Sequence, residues 1–341
     1  MEGTVRFLVT GNAGFIGFHT SRRLLEAGHE VVGIDCLTEY YDVSLKQRRL
    51  AILAQHAGFR HHGCALEDKP AVDEVFRDTR PDIVIHLGAQ AGVRYSLENP
   101  QAYIEANVIG SFNILEACRH RPVQHLLMAS TSSAYGANDK YPFEETDKAV
   151  HPITLYAATK GSMELMGHCY AHLFSIPTTA FRFFTVYGPW GRPDMAYFLF
   201  TKKILAGEPI QVFNYGESYR DFTYVDDLVT SILRLVECKP PLPGARDGMA
   251  AIPGDTLSPV APYRLVNIGA GRPEKLTDLI DELEAALGLK AERVYLPLPP
   301  GDVVKTFAHA ELLQGLTGQK PSTPLSVGIK EFVRWYRTHF N

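Results

Sequence analysis

The chain alternates short, continuously apolar runs with longer stretches of helical period. Residues 5–10 (VRFLVT) read as a buried strand, and a helical pattern then runs to about Glu26, closed by Ala27-Gly28-His29. Residues 30–35 (EVVGID) form a second strand with an acid at its C-terminal end. The alternation continues with strands at 81–87 (PDIVIHL), 124–130 (QHLLMAS) and 178–184 (TTAFRFF). Helices are expected at 102–119 and from Tyr156 to about 174. Continuous apolar runs, as opposed to alternating ones, mark strands buried on both faces of a parallel sheet. The pattern predicts an α/β fold with a doubly wound parallel sheet and ligands at the C-terminal strand ends. After residue 185 the rhythm changes, as Pro189, Pro193, Pro209, Pro240, Pro241 and Pro243 interrupt shorter elements. Residues 239–262, rich in Pro and Gly, read as an exposed loop or mobile lid. Two further helices fit 276–287 and 325–340, so the second half reads as a smaller, irregular lobe.

Composition narrows the classes. The chain has 341 residues, 45% hydrophobic and 21% charged, and a formal net charge of −4. That is the profile of a globular protein with a large core and two lobes. It offers neither the basic footprint of a nucleic-acid binder nor a polybasic membrane patch. No apolar run approaches the roughly 20 residues that span a bilayer, and the N-terminus lacks the tripartite form of a signal peptide. The five cysteines (36, 64, 118, 169, 238) have no metal or disulfide spacing. They read as reduced residues of a cytoplasmic protein.

The chemistry falls at strand ends. Gly11, Gly14 and Gly17 follow the first strand and open a helix whose first residues include Phe15 and Ile16, and Asp35 closes the second strand. Strand, glycine turn, helix, strand and terminal acid are the parts of a dinucleotide-binding βαβ unit, although the spacing is GxxGxxG and not GxGxxG. Glycine lets backbone N–H groups approach a pyrophosphate at the positive end of the helix. Asp35 is expected on the adenosine ribose, where it repels a 2′-phosphate; with Cys36 and Leu37 next, the cofactor is expected to be NAD and not NADP. Tyr156 and Lys160 stand at i and i+4, so phenol and ammonium share a helix face. A tyrosine ionises near 10 and is a poor base at neutral pH, but a neighbouring cation favours the phenolate. By itself a YxxxK pair is common on solvated helices; its weight comes from the company it keeps.

That company carries a resemblance. TGNAGFIG at 10–17, HLGAQAGVRYS at 86–96, STSSAYG at 130–136, YxxxK at 156–160 and RDFTYVDD at 220–227 resemble the extended short-chain dehydrogenase/reductases. Within that superfamily, DCLTEYYDVSLKQRRL at 35–50 and RFFTVYGPWGRPDMA at 182–196 are similar to the UDP-glucuronate 4-epimerases. The resemblance implies a Rossmann-like NAD-binding domain over 1–185, with segments near 220–240 and 264–270 returning to it. It implies a nucleotide-sugar lobe over 186–341 and a homodimer packed through the helices at 102–119 and 156–174. The implied partner is a UDP-sugar, and the implied reaction is oxidation at C4, rotation of the 4-keto sugar and return of the hydride to its other face.

The same resemblance distributes roles. Thr131, Tyr156 and Lys160 are catalytic: Thr131 holds the 4-OH, Tyr156 takes its proton, and Lys160 binds the nicotinamide ribose and lowers the phenol. Leu66, Leu87, Gln90 and Asn107 join Gly11, Gly14, Phe15, Ile16, Gly17 and Asp35 around the cofactor. Arg220 is assigned to the diphosphate, Asp302 to the uridine ribose, and Arg94 to a phosphate or carboxylate. Where dehydratases carry Asp-Glu and decarboxylating relatives a Glu, this chain has Ser132 and Ser133, which are poor proton shuttles. Ser132, Ser133, Thr185 and Arg192 are expected to hold the sugar carboxylate near the ring plane and so protect the β-keto acid, Arg192 offering a bidentate fork.

Three positions depart from the family pattern. Ala65 replaces the carboxylate that accepts the adenine amino group, which costs about one hydrogen bond, roughly 0.5–1.5 kcal/mol. Pro299 stands at a usual Gln or Arg, and His309 at a usual Asp. Asp221, Asp226 and Asp227 read as caps and structural pairs, and no metal is assigned. Competing functions are a 4-epimerase of neutral UDP-hexoses or UDP-N-acetylhexosamines, a dehydratase or decarboxylase, and a non-catalytic NAD sensor, which needs no general base.

Overall fold

The computed structural model describes residues 3–245, 252–299 and 301–340. Its centre is a seven-stranded, wholly parallel sheet. The strands are β1 Arg6–Thr10, β2 Glu30–Ile34, β3 Phe59–His62, β4 Ile83–His86, β5 His125–Thr131 and β6 Thr178–Phe183, with β10 Tyr263–Ile268 returning late in the chain. Their order is β3-β2-β1-β4-β5-β6-β10, so the winding reverses between β1 and β4. A crevice opens there at the carboxyl ends of the strands, because the crossovers on either side leave in opposite directions. β4, β5 and β6 are buried along their whole length, as strands covered on both faces of a parallel sheet are, and the polar side chains on β5 and β6 are buried with the apolar ones.

Helices α1 Phe15–Glu26, α2 Val43–Leu53 and α3 Lys69–Thr79 make the first crossovers. The long helix expected at 102–119 is interrupted. Short turns α4 Tyr95–Glu98 and α5 Pro100–Tyr103 lead into a π-helical segment, Ile104–Ile109, before α6 Gly110–His120. Periodicity cannot show such a widened turn. Its cause is tertiary: the Asn107 carboxamide accepts from Gln90 N–H (2.8 Å) and donates to Gln90 C=O (3.1 Å) and Thr159 Oγ1 (3.1 Å). Helix α7, Leu155–Phe174, starts at Thr154, whose hydroxyl accepts from Ala157 N–H.

The remaining elements form a second layer beside the strand ends. β7 Thr185–Tyr187, α8 Ala196–Ala206, β8 Ile210–Phe213, β9 Tyr219–Tyr224 and α9 Val225–Glu237 precede β10, and β11 Pro273–Lys275, α10 Leu276–Leu287, β12 Arg293–Leu296, β13 Lys305–Thr306, α11 Glu311–Thr317 and α12 Leu325–Phe340 follow it. β9 is the hub of this lobe, with β7 and β13 parallel and β11 antiparallel to it. Asp221 fixes the hub by accepting from the backbone N–H groups of Ala270, Gly271 and Ala308. Asp227 likewise accepts from Ser322 and Thr323.

The Pro/Gly-rich stretch lies partly outside the described residues, at 246–251. Its remainder differs from the expected lid. Asp255 grips Arg264 through Nε (2.8 Å) and Nη2 (2.9 Å), Leu265 N–H donates to Thr256 Oγ1, and Ser258 Oγ bonds His168 Nε2 (2.8 Å). Residues 252–262 are therefore irregular but fastened onto β10 and α7. Composition revealed the lack of regular structure and not the anchoring partners.

Candidate active site

The glycine turn is built by close approach. Gly11 takes φ +71°, and a Cβ there would stand 2.9 Å from Gly88 Cα, so the turn after β1 touches the turn after β4. A Cβ at Gly17 would lie 2.0 Å from Gly11 O, which seats α1 against the same turn. α1 begins at Gly14 with no side-chain cap and no acid in its first turn, leaving its N–H groups and the positive end of its dipole facing the crevice. Asp35 Oδ2 accepts from Ala13 N–H (3.1 Å) and Oδ1 from Leu37 N–H (2.8 Å), so the carboxylate is held in place and retains lone pairs for a ribose.

One cleft runs from this turn past the ends of β2, β4, β5 and β6. Gly11, Gly14, Phe15, Ile16, Gly17, Asp35, Leu66, Leu87, Gln90, Thr131, Tyr156, Lys160 and Arg192 all line it. The glycine cradle, the uncapped helix end and the placed carboxylate fit a dinucleotide. Ala65 leaves no carboxylate at its position, although Leu66 remains in the wall.

At the far end the three proposed catalytic side chains converge. Thr131 ends β5 and accepts from Ser133 N–H (3.2 Å), and Tyr156 and Lys160 come from the first turns of α7. Burial pushes the Tyr156 phenol above its ordinary range, while a hydrogen bond with Thr131 and then the Arg192 charge pull it back. The i, i+4 spacing assigned that pull to Lys160; the cation acting on the phenol here is Arg192, which arrives from a loop far along the chain. Lys160 is itself buried, its Nζ 3.7 Å from Met163 Sδ. Burial lowers the ammonium to about 8, against the opposing charge of Glu164.

Arg192 differs from its expected role as a free fork. Its Nε and Nη2 donate to the two oxygens of Asp194 at 3.0 and 2.5 Å, and Tyr40 OH donates to the same carboxylate (3.0 Å). Three of its five N–H bonds are left for any other acceptor. From Tyr40 the aromatic rings continue inward through Tyr95 (4.8 Å) and Tyr103 (6.3 Å) to Tyr156 (6.0 Å).

Ser132, Ser133, Thr185, Asn107, Arg94, Arg220 and Asp302 do not line this cleft. Asn107 acts behind its wall, holding the Gln90 loop. Arg94 Nη2 pairs with Asp302 (2.9 Å), and Arg220, whose guanidinium is pulled down by burial, donates to the Tyr219 and Val304 carbonyls. These three residues converge because α4 and the β12–β13 connection meet beside β9. Lys46, Thr38, Tyr40, Tyr41 and Met195 line the cleft without having been singled out. Tyr40, Tyr41 and Lys46 sit in the 35–50 motif, the signal that could have found them. Among the described residues no group of His, Cys, Asp and Glu could hold a metal ion, and no helix is long and apolar enough to cross a membrane.

Comparison with known proteins adds relatives across the whole chain. The model of the NAD dependent epimerase/dehydratase family matches residues 7–242. A protein of Rhizobium meliloti (strain 1021) named "Probable UDP-glucuronate 4-epimerase" is 53% identical over 336 residues, 98% of each chain. The crystal structure of UDP-glucuronic acid 4-epimerase from Bacillus cereus with UDP-glucuronic acid and NAD superposes with a TM-score of 0.86 at 30% identity, covering 98% of this chain and 100% of that one. A UDP-glucose 4-epimerase from Thermotoga maritima with UDP-glucose gives 0.85 at 30% identity, with the same coverage.

Proposed function

Because the chain belongs to the NAD-dependent epimerase/dehydratase family, we propose that it inverts C4 of a UDP-linked uronic acid, interconverting UDP-glucuronate and UDP-galacturonate. It is an isomerase that uses NAD. The observation that carries this is the one cleft in which a dinucleotide cradle, the Thr131–Tyr156–Lys160 constellation and the half-buried Arg192 meet. Residues 1–185, with α9 and β10, form the NAD-binding part in this assignment, and the rest forms the sugar-nucleotide part.

Bound NAD supplies a reversible hydride acceptor for C4. The chain's residues do the remainder. Thr131 Oγ1 orients the 4-OH, and Tyr156 Oη takes its proton as C4 becomes a carbonyl and returns a proton when the alcohol re-forms. Lys160 holds the cofactor ribose, while the Thr131 hydroxyl and the Arg192 charge act against the burial that keeps the phenol protonated. Arg94, Arg220 and Asp302 hold the nucleotide, outside the cleft that houses the chemistry. Ser132, Ser133 and Thr185, beside the cleft and not in its wall, carry neutral hydroxyls only, so they bring the 4-keto intermediate no extra acid or base that would drive elimination.

The closure of Arg192 on Asp194 supports a second reading, a 4-epimerase of neutral UDP-hexoses, since the fork is already neutralised within the chain. Incubation with UDP-glucuronate and with UDP-glucose, followed by NMR of the products and CO₂ detection, separates the two. UDP-galacturonate without CO₂ supports the uronate epimerase; UDP-pentose, or turnover of UDP-glucose alone, refutes it. Ile104, Ile109, Phe112, Leu165, Leu173 and Phe174 stay exposed on the helical stretch 100–120 and on α7, a shared apolar face that fits a homodimer. Light scattering at the mass of one chain refutes that assembly. A cytoplasmic location accords with five free cysteines, two of them exposed, and cell fractionation tests it.

A further inference from the structure

Behind the catalytic pair lies an ion pair that the reaction does not use. Glu164 follows Lys160 by one turn of α7, so Tyr156, Lys160 and Glu164 form a ladder at i, i+4 and i+8 on one helix face. Its carboxylate is buried and receives Arg182 Nε (2.9 Å) and Nη2 (2.7 Å) from near the C-terminal end of β6. It also accepts the hydroxyl of Ser130, the residue before Thr131 on β5. The Arg182 guanidinium lies 4.4 Å over the ring of Tyr135, which closes the turn that Thr131 caps, and Tyr135 OH donates to Asn267 Oδ1 (2.8 Å) on β10. One carboxylate thus ties the helix carrying the base to the strand end carrying the catalytic hydroxyl.

We infer that Glu164, clamped by Arg182 and Ser130, is a positioning residue that sets Lys160 and Thr131 relative to Tyr156 and keeps a negative charge behind the ammonium. It rests on the assignment of Tyr156 and Lys160 to proton handling. Among the described residues Glu164 supplies the one carboxylate acting on the buried ammonium. The other groups facing this pair cannot replace it. His86 from β4 is buried and held neutral, Tyr263 from β10 is a protonated phenol, and Glu145 is bonded to Asn267 N–H on β10. A bidentate arginine fixes the carboxylate in one orientation, whereas a lone buried carboxylate would take up a proton and lose the charge.

The test is the pH profile of kcat for the NAD-loaded enzyme with Glu164→Gln and Glu164→Asp. Gln retains the shape and removes the charge, so the alkaline limb is expected to move down by about one pH unit with little change in KM. Asp retains the charge at shorter reach, so the limb is expected to stay while kcat falls several-fold. Ser130→Ala, which leaves both charges and removes one bond to Glu164, is expected to lower kcat several-fold with the limb in place. It serves if the Gln variant does not fold, and unaltered kcat in it overturns the positioning role. An alkaline limb that stays put in a folded Glu164→Gln enzyme overturns the electrostatic role, as does an equal displacement in both Glu164 variants. Full turnover by Tyr156→Phe identifies the different failure, that of the base assignment itself.

Discussion

Glu145 is the carboxyl whose perturbation gives the sharpest prediction. It is buried, 6% exposed, and its Oε1 accepts from Asn267 N–H (2.9 Å) on β10. Burial pushes it from its ordinary 4.5 up to about 7, and the backbone N–H groups and Arg182 only partly offset this. Below pH 4.5 the carboxyl is neutral in both the folded and unfolded chain, so its contribution to stability is complete. Between 4.5 and about 7 the unfolded chain releases the proton and the folded chain keeps it, and stability is lost. Above 7 the loss is full, about 3 kcal/mol at 1.36 kcal/mol per pH unit. Glu145→Gln keeps an acceptor for Asn267 N–H and removes the titration. The variant is expected to match the parent near pH 4.5 and to exceed it by up to about 3 kcal/mol near pH 8. Urea unfolding at both pH values and equal ionic strength measures this. Equal destabilisation at both would falsify the reasoning, because it would mean that the side chain contributes by shape and hydrogen bonding alone.

Other expectations follow from single contacts. His19 and His86 are held down to about 3 and His125 to about 4, chiefly by burial. Their contribution is present above 6.5 and is lost as pH falls toward 3–4, so unfolding midpoints should drop on acidification and be steadier in a variant with His125 replaced by Gln. Gly17→Ala drives a Cβ into Gly11 O, and since the atoms it meets, on Gly11 and Asn12, are all backbone, the strain should cost about 1–3 kcal/mol in thermal unfolding and release NAD; retained NAD with an unchanged midpoint refutes the close packing. Tyr156→Phe should keep NAD and lose about 10²–10⁴-fold in epimerisation, measured by product NMR; undiminished turnover removes the phenol from the mechanism. Arg192→Ala should release CO₂ from UDP-glucuronate or abolish discrimination against UDP-glucose, and a variant that does neither shows that Arg192 serves Asp194 and Tyr40 alone.

Much of this was legible because it is local. A strand of unbroken apolar residues, a glycine turn and a terminal acid are all written within one βαβ unit, and VRFLVT, GNAGFIG and EVVGID fold as their periods require. β3 was hidden: FRHH carries no apolar pattern because it is the edge strand, with one neighbour and only part of each side chain covered. The π turn around Asn107 was hidden for another reason. Its cause is a pair of loops and helices distant in the chain, and periodicity holds no record of them.

The sequence by itself determined the alternating architecture, the cofactor half of the cleft and the tyrosine–lysine pair, since each depends on contacts a few residues apart. Tertiary structure decided what acts on that pair. The Arg192 charge acts on the Tyr156 phenol from a loop after β7, Tyr40 comes from a distant segment to bond the Asp194 carboxylate that holds the arginine's fork, and Glu164 gains its Arg182 clamp only when α7 packs on β6. Charge acts through space and burial sets its strength, so the electrostatics of the site exist only once the chain has brought these residues together.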